Sequence, residues 1–199
     1  MTSRMRLWTR TGLLRALLLC SWVGASACKT EPVPQVTTVA AFSSRFGQGH
    51  RDFSRAILAD ADLSDTNMPR VIFQNAQLNR AVFTRDLLKD ADFSGASAEQ
   101  VQFTLTNLTG ANFSYASLQK ANFAQAVLRS TNFAHADMRG AQLLDCEGVG
   151  ADLRGADLTD AMLDKQLGSC LRGMIYDDTT KLPAGFDPAA VGMTKTAAP

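Results

Sequence analysis

Apolar and polar positions alternate along this chain with a beat of five. From Phe53 to Leu163, a step of five lands on Leu, Phe or Met at 21 of 23 stops, and the exceptions are Ala98 and Gly148. Two residues before each stop the chain is Ala in 15 of the 23 cases, and polar side chains dominate the other three places. An α-helix returns its apolar face every 3.6 residues and a flat strand every second residue, so neither explains a spacing of five. The pattern predicts a coil that turns a corner every five residues.

Units such as Ala-Asn-Phe-Ser-Tyr (111–115) and Ala-Asp-Leu-Arg-Gly (151–155) show the motif plainly. They resemble the pentapeptide-repeat family, A-(D/N)-(L/F)-x-x, over roughly residues 51–187. The resemblance implies an all-β fold, a right-handed quadrilateral parallel β-helix with N- and C-terminal caps. Four units make a coil, the large residue (position i) and the Ala at i−2 point inward, and the other three positions face out. At four units per coil, 23 units give about 5.75 coils, and a stacking distance of about 4.8 Å makes a prism on the order of 28 Å long. Residues 20 apart should then share a column, and they are related. One column reads Phe53, Phe73, Phe93, Phe113, Phe133, Leu153, and the opposite one Leu63, Phe83, Phe103, Phe123, Leu143, Leu163. The intervening columns contain no Phe, so core volume stays nearly constant from coil to coil.

Three inward positions depart from the rule. Asp86 occupies an i−2 site, where a lone carboxylate is costly, and the column places Thr66 below and Thr106 above it as expected hydroxyl donors. Ala98 is short and Val101 large for their places, which predicts an irregularity at 96–102. Gly148 removes a core side chain, and the expectation is a bulge with Val149 turning inward. On the outer corners, Asp60 lies under Arg80, Asp65 under Arg85 and Arg70 under Asp90, which pairs opposite charges one coil apart.

The ends follow other rules. Residues 1–27 carry Arg4, Arg6, Arg10 and Arg15, then an apolar run too short to span a membrane, then Ala25-Ser26-Ala27 before Cys28. This reads as a signal peptide, and the small residues before Cys28 resemble a bacterial lipobox, which implies lipidation of Cys28. The alternative is ordinary cleavage and a free secreted or periplasmic protein. Lys29 in place of Asp favours the outer membrane. Residues 28–36 read as a tether, 37–50 as an N-terminal cap, 51–165 as the β-helix, 166–188 as the C-terminal cap and 189–199 as a disordered tail. The cap segment Tyr176-Asp177-Asp178-Thr179-Thr180 through Pro188 resembles the ending of many family members. With Cys20 and Cys28 set aside, Cys146 and Cys170 remain as a pair that could form a disulfide in an oxidising compartment. The competing reading makes Cys146 a small core residue.

Candidate chemistry changes this picture little. No acid or Cys falls at metal-ligand spacing around His50 or His135, and no nucleophile motif or phosphate-binding Gly loop is present, so no metal, cofactor or enzymatic activity is expected. The favoured function is a non-catalytic, envelope-tethered scaffold or protein-interaction module. Its partner is an unnamed protein or envelope component, with the membrane engaged through lipid on Cys28. Outward apolar residues Val82, Leu87, Leu105, Val127 and Leu144, with the Tyr115 and His135 corner, mark the candidate surface. Some family members mimic DNA and inhibit DNA gyrase, and this is the alternative. Residues 51–163 carry 14 acidic against 10 basic side chains, too mixed for a phosphate-like surface, which argues against a nucleic-acid target. An enzyme with an unrecognised site is the third reading. The resemblance also leaves monomer and end-to-end homodimer open.

Overall fold

The structure is a computed structural model and describes residues 35–164 and 170–197. The expected signal peptide, Cys28 and residues 28–34 of the tether lie outside the described residues. Within the repeats, each residue just before a large apolar one pairs in parallel with its equivalent 20 residues on. Asp52, Ile72, Asp92, Asn112, Asn132 and Asp152 form face 1, and Ile57, Gln77, Ser97, Ser117, Asp137 and Asp157 form face 2. Face 3 runs through Asp62, Val82, Gln102, Asn122 and Gln142, and face 4 through Asn67, Leu87, Asn107, Val127 and Glu147. Four faces with a 20-residue return make a parallel, four-sided β-helix. Face 3 extends where strand β1 (Gln142–Leu143) pairs with β2 (Met162–Leu163).

Each corner is a β-turn written by the five-residue unit. The carbonyl of the large residue accepts the N–H three residues on, as in Ala56 to Phe53 at 3.0 Å and Ala76 to Phe73 at 3.0 Å. The residue before that donor takes positive φ, for example Arg55 at 60° and Tyr115 at 59°. Such a φ strains most L-residues, so the coil-to-coil ladder must hold the corners in place. The Asp or Asn of the motif has a turn role as well. Its side-chain oxygen accepts the N–H two residues on, as in Asp92 with Ser94 at 2.9 Å and Asn132 with Ala134 at 2.9 Å. That local bond is what the D/N preference encodes.

The inward residues form one continuous core. Rings within a column stack, with Phe93 and Phe113 at 4.7 Å and 4° and Phe83 and Phe103 at 5.2 Å and 18°. Between columns they meet edge to face, as Phe83 and Phe93 do at 5.8 Å and 85°. Both geometries suit the aromatic quadrupole.

Several expectations fail in instructive ways. The ladder does not break at 96–102: Ala96, Ala98, Val101 and Phe103 are all fully buried and the Ser97 and Gln102 rungs pair on both sides, with only the Val101 turn bond to Ala98 drawn out to 3.4 Å. The smaller and larger residues sit three apart within one corner, so their volumes offset each other. Val149 does not turn inward; it is 57% exposed. The space above Gly148 is taken by Met174, whose Cε lies 1.9 Å from where a Cβ on Gly148 would stand. Arg70 and Asp90 form no ion pair among the described residues, whereas Arg80 pairs with Asp60 at 2.5 Å and Arg85 with Asp65 at 2.6 Å. Asp90 leans upward instead, its Oδ1 2.4 Å from the Cβ position that Gly110 leaves empty.

Residues outside the repeats follow the ladder at both ends. Helix α1 (Val39–Gly47) begins at Thr38, whose hydroxyl accepts the Ala41 N–H at 3.1 Å, and its Phe42 ring meets Phe53 at 4.5 Å and Phe73 at 5.8 Å. Val36, placed in the tether by sequence, is buried and its carbonyl accepts the Ile57 N–H at 2.8 Å. The tail expected to be disordered is ordered through residue 197. Strand β3 (Ile175–Tyr176) continues face 1 above Asp152 and is itself paired in parallel with β4 (Thr194–Lys195). Val191 and Met193 are buried beneath that pairing, which supplies the apolar anchor a free tail would lack.

Candidate functional site

The apolar surface candidates separate into two places. Leu87, Asn107 and Val127 are consecutive rungs of face 4, and Leu105 occupies the corner leading into Asn107. Leu87 is 47% and Leu105 51% exposed, while Val127 is half-buried. Val82 and Leu144, both half-buried, belong to face 3 on the other side of that corner. Tyr115 and His135 stack with centroids 5.0 Å apart and planes at 17°. They occupy the corner between faces 1 and 2, diagonally opposite Leu105, so the fold does not join them to the leucine patch. Gly155 completes their column, and the His135 ring lies over it where any Cβ would clash at 2.3 Å. The sequence reading missed three exposed apolar residues, Val39 on α1, Val149 and Met162. Met162 occupies an i−1 place, so its outward direction was legible; Val149 depended on Met174.

The walls around these residues are set by hydrogen bonds and ion pairs. Asn132 donates to Asn112 and Asn112 to Asp92 along face 1, at 3.1 and 3.3 Å. Arg139 grips Asp137 in two hydrogen bonds, which, with Gln119, hold that carboxyl at a pKa of about 2. Arg129 pairs with Glu147 across one coil. Among the described residues, no cluster of three His, Cys, Asp or Glu side chains could hold a metal ion.

Among the described residues of the repeats, Asp86 is the one buried charged side chain, at 1% exposure. Its Oδ1 accepts the Thr66 backbone N–H at 2.6 Å and lies 3.2 Å from the Thr66 hydroxyl, while its Oδ2 has no hydrogen-bond partner. Thr66 has diverted its N–H from the usual turn bond, and its hydroxyl donates to the orphaned Leu63 carbonyl at 2.9 Å. Thr106 does not serve Asp86 as sequence reading expected. Its single proton goes to the Phe83 carbonyl at 2.5 Å. Thr131 does the same for Leu108 at 2.9 Å, so an inward Thr supplements a carbonyl of the coil below. Desolvation therefore outweighs the Thr66 hydrogen bonds, and the nearby Asp65 and Asp62 add repulsion, raising the Asp86 pKa to about 6.

Cys146 and Cys170 are joined in a disulfide, with Cα atoms 4.6 Å apart. It ties the last coils to the segment carrying Met174. Further along that segment Asp177 is buried, and its Oδ1 accepts the N–H groups of Gly155, Thr179 and Thr180 at 2.9 to 3.2 Å. The Thr179 hydroxyl adds the largest contribution, and together they hold its pKa at about 2.

A family model described as pentapeptide repeats matches in eight copies, at residues 52–85, 87–125 and 106–144. The chain belongs to the pentapeptide-repeat family. No curated protein matches this pentapeptide-repeat chain. Solved structures similar to it include HetL of the cyanobacterium Nostoc sp. strain PCC 7120, which is involved in heterocyst differentiation regulation. That likeness is 19% identical, covers 70% of this chain and 71% of HetL, and has a TM-score of 0.36. A pentapeptide repeat protein of the Arabidopsis thaliana thylakoid lumen is 29% identical over 59% of this chain and 72% of that one, at a TM-score of 0.31. Trypsin-treated QnrB1, a plasmid-mediated fluoroquinolone resistance protein, is 20% identical over 74% and 77%, at 0.36. The fold of the present protein is read from its own ladder and repeat motif.

Proposed function

We propose that this pentapeptide-repeat protein is a non-catalytic interaction scaffold, carried on the bacterial cell envelope by lipid on Cys28. In this reading the β-helix is right-handed, α1 is its N-terminal cap and the segment from Cys170 onward its C-terminal cap. The observation that carries the proposal is the exposure of Leu87 and Leu105 beside Val127 on a wall whose backbone is bonded coil to coil. Apolar side chains held on such a wall bind with little ordering cost, since the surface is already rigid. The interior behind that wall is filled by Met68, Leu88, Leu108 and Leu128, all fully buried, so among the described residues recognition would use the outer faces. The Cys146–Cys170 disulfide suits an exported protein.

The test is in-cell crosslinking followed by mass spectrometry, with Leu105→Asp and Val127→Asp as variants. Both variants should fold with unchanged melting temperature and lose the crosslinked partner. An undiminished partner yield removes face 4 from the proposal, and exclusively cytoplasmic partners overturn the envelope assignment. Labelled fatty acid should enter the wild type and not Cys28→Ser.

A further inference from the structure

We propose that Asp86 is a proton-operated latch behind face 4: with its proton bound, the Leu87 and Asn107 rungs close tightly, and when the proton leaves they loosen. The geometry places the carboxyl inside the wall that carries those rungs. Its Oδ1 takes the Thr66 N–H, the Thr66 carbonyl in turn accepts the Leu87 N–H at 3.0 Å, and the Asp86 carbonyl accepts the Asn107 N–H at 2.9 Å. One carboxyl group is therefore coupled to two successive rungs of the exposed face.

The wall can satisfy half of that carboxyl and no more. Oδ2 is buried without a partner; the Thr66 hydroxyl has one proton for two acceptors, the Leu63 carbonyl at 2.9 Å and Asp86 Oδ1 at 3.2 Å, and the Thr106 hydroxyl donates to Phe83. A neutral acid with one unpaired oxygen is tolerable in such a place; an anion is far more costly. The charged groups around it do not help the anion. Asp62 and Asp65 in the coil below repel it, and Arg85, its neighbour in sequence, is engaged by Asp65 in two hydrogen bonds. The inward residues on either side, Phe83 and Leu88, are apolar and fully buried, and Thr106 above is uncharged.

The sign follows from linkage. A carboxyl with a pKa of about 6 in the fold and an ordinary value when unfolded makes the fold bind more protons between those values. Stability then falls as pH rises through that window and levels off above it. Opening a rung solvates the carboxylate, so the same sign applies locally. The consequence for binding, a face 4 that engages its partner more tightly near pH 5 than near pH 7.5, rests on the interaction reading above. The latch itself is measured without a partner.

Amide hydrogen exchange on the purified protein, corrected for the intrinsic pH dependence of exchange, reads it directly. Protection of the Leu87 and Asn107 amides should fall about tenfold between pH 5 and pH 7.5. In Asp86→Asn, and in Asp86→Thr, which repeats the residue type above and below, it should be independent of pH. Equal protection at the two pH values in the wild type overturns the latch, as does a fall that persists in a folded variant. Unchanged partner capture in Leu105→Asp, by contrast, would overturn only the binding role of the face.

Discussion

Gly148 and Asp86 break the same inward rule, one by omitting volume and the other by adding charge, and the molecule treats them differently. At Gly148 the missing side chain is replaced by Met174, brought in from 26 residues away in sequence and held there by Gly148 donating to the Cys170 carbonyl at 3.1 Å. At Asp86 the neighbours have rearranged, with Thr66 giving up its turn bond, yet one carboxylate oxygen remains unpaired. An apolar void can be filled by any flexible side chain that reaches it. A buried charge needs donors at fixed distances and angles, and a column of two threonines with one proton each cannot supply them.

Breaking the repaired defect should have the largest effect. Met174→Ala reopens the space over Gly148 and should cost about 2 to 5 kcal/mol, measured by denaturant unfolding. A cost under about 1 kcal/mol would mean that Met174 is a passive lid and not core. Next comes the tether that keeps this repair in place. Reducing the Cys146–Cys170 disulfide frees a 24-residue loop, and the loop-closure estimate is a loss of about 3 kcal/mol. If melting is unchanged by reductant while both thiols become alkylatable, the hydrogen bonds alone hold the segment.

The unrepaired defect predicts the opposite sign. Asp86→Asn keeps an acceptor for the Thr66 N–H and removes the charge, so it should stabilise the protein at pH 7.5 by up to about 3 kcal/mol. It should leave stability at pH 4 nearly unchanged, since the wild-type acid is already protonated there. A variant less stable than wild type at both pH values would show that the carboxylate contributes favourable bonding. The smallest effect is expected outside the core. Arg80→Ala and Arg85→Ala remove two exposed ion pairs and should shift the melting temperature barely above measurement scatter, less still in high salt.

Much of the fold was legible because every residue of the repeat has one task that it performs locally. The large residue and the Ala give the inward pair, the Asp or Asn makes the turn bond, and the 20-residue columns place Phe on Phe. The departures could be located from sequence, but their resolution could not. Whether the Thr106 hydroxyl faces Asp86 or the Phe83 carbonyl is a matter of one rotamer and one proton. Asp90 leaves Arg70 because Gly110 one coil above offers space. The ends were least legible, since Asp152 to Ile175 spans 23 residues and Ile175 to Thr194 spans 19, and counting in fives loses both. Of the candidate surface, each outward residue was readable by position, whereas the separation of the Tyr115 stack from the Leu87 patch follows from the four-sided lattice.

By itself, then, the sequence determined the coil, its columns and the direction of nearly every side chain in the repeats. The physical reason is that a fixed period repeats the same turn, hydrogen bonds and packing in every unit. Only the tertiary structure decided how the exceptions were met: Met174 over Gly148, the tail as a further layer, and Asp86 held by Thr66 through one of its two oxygens. Each of these depends on atoms that a period cannot bring together, and on which of several nearby groups already had its bonds committed.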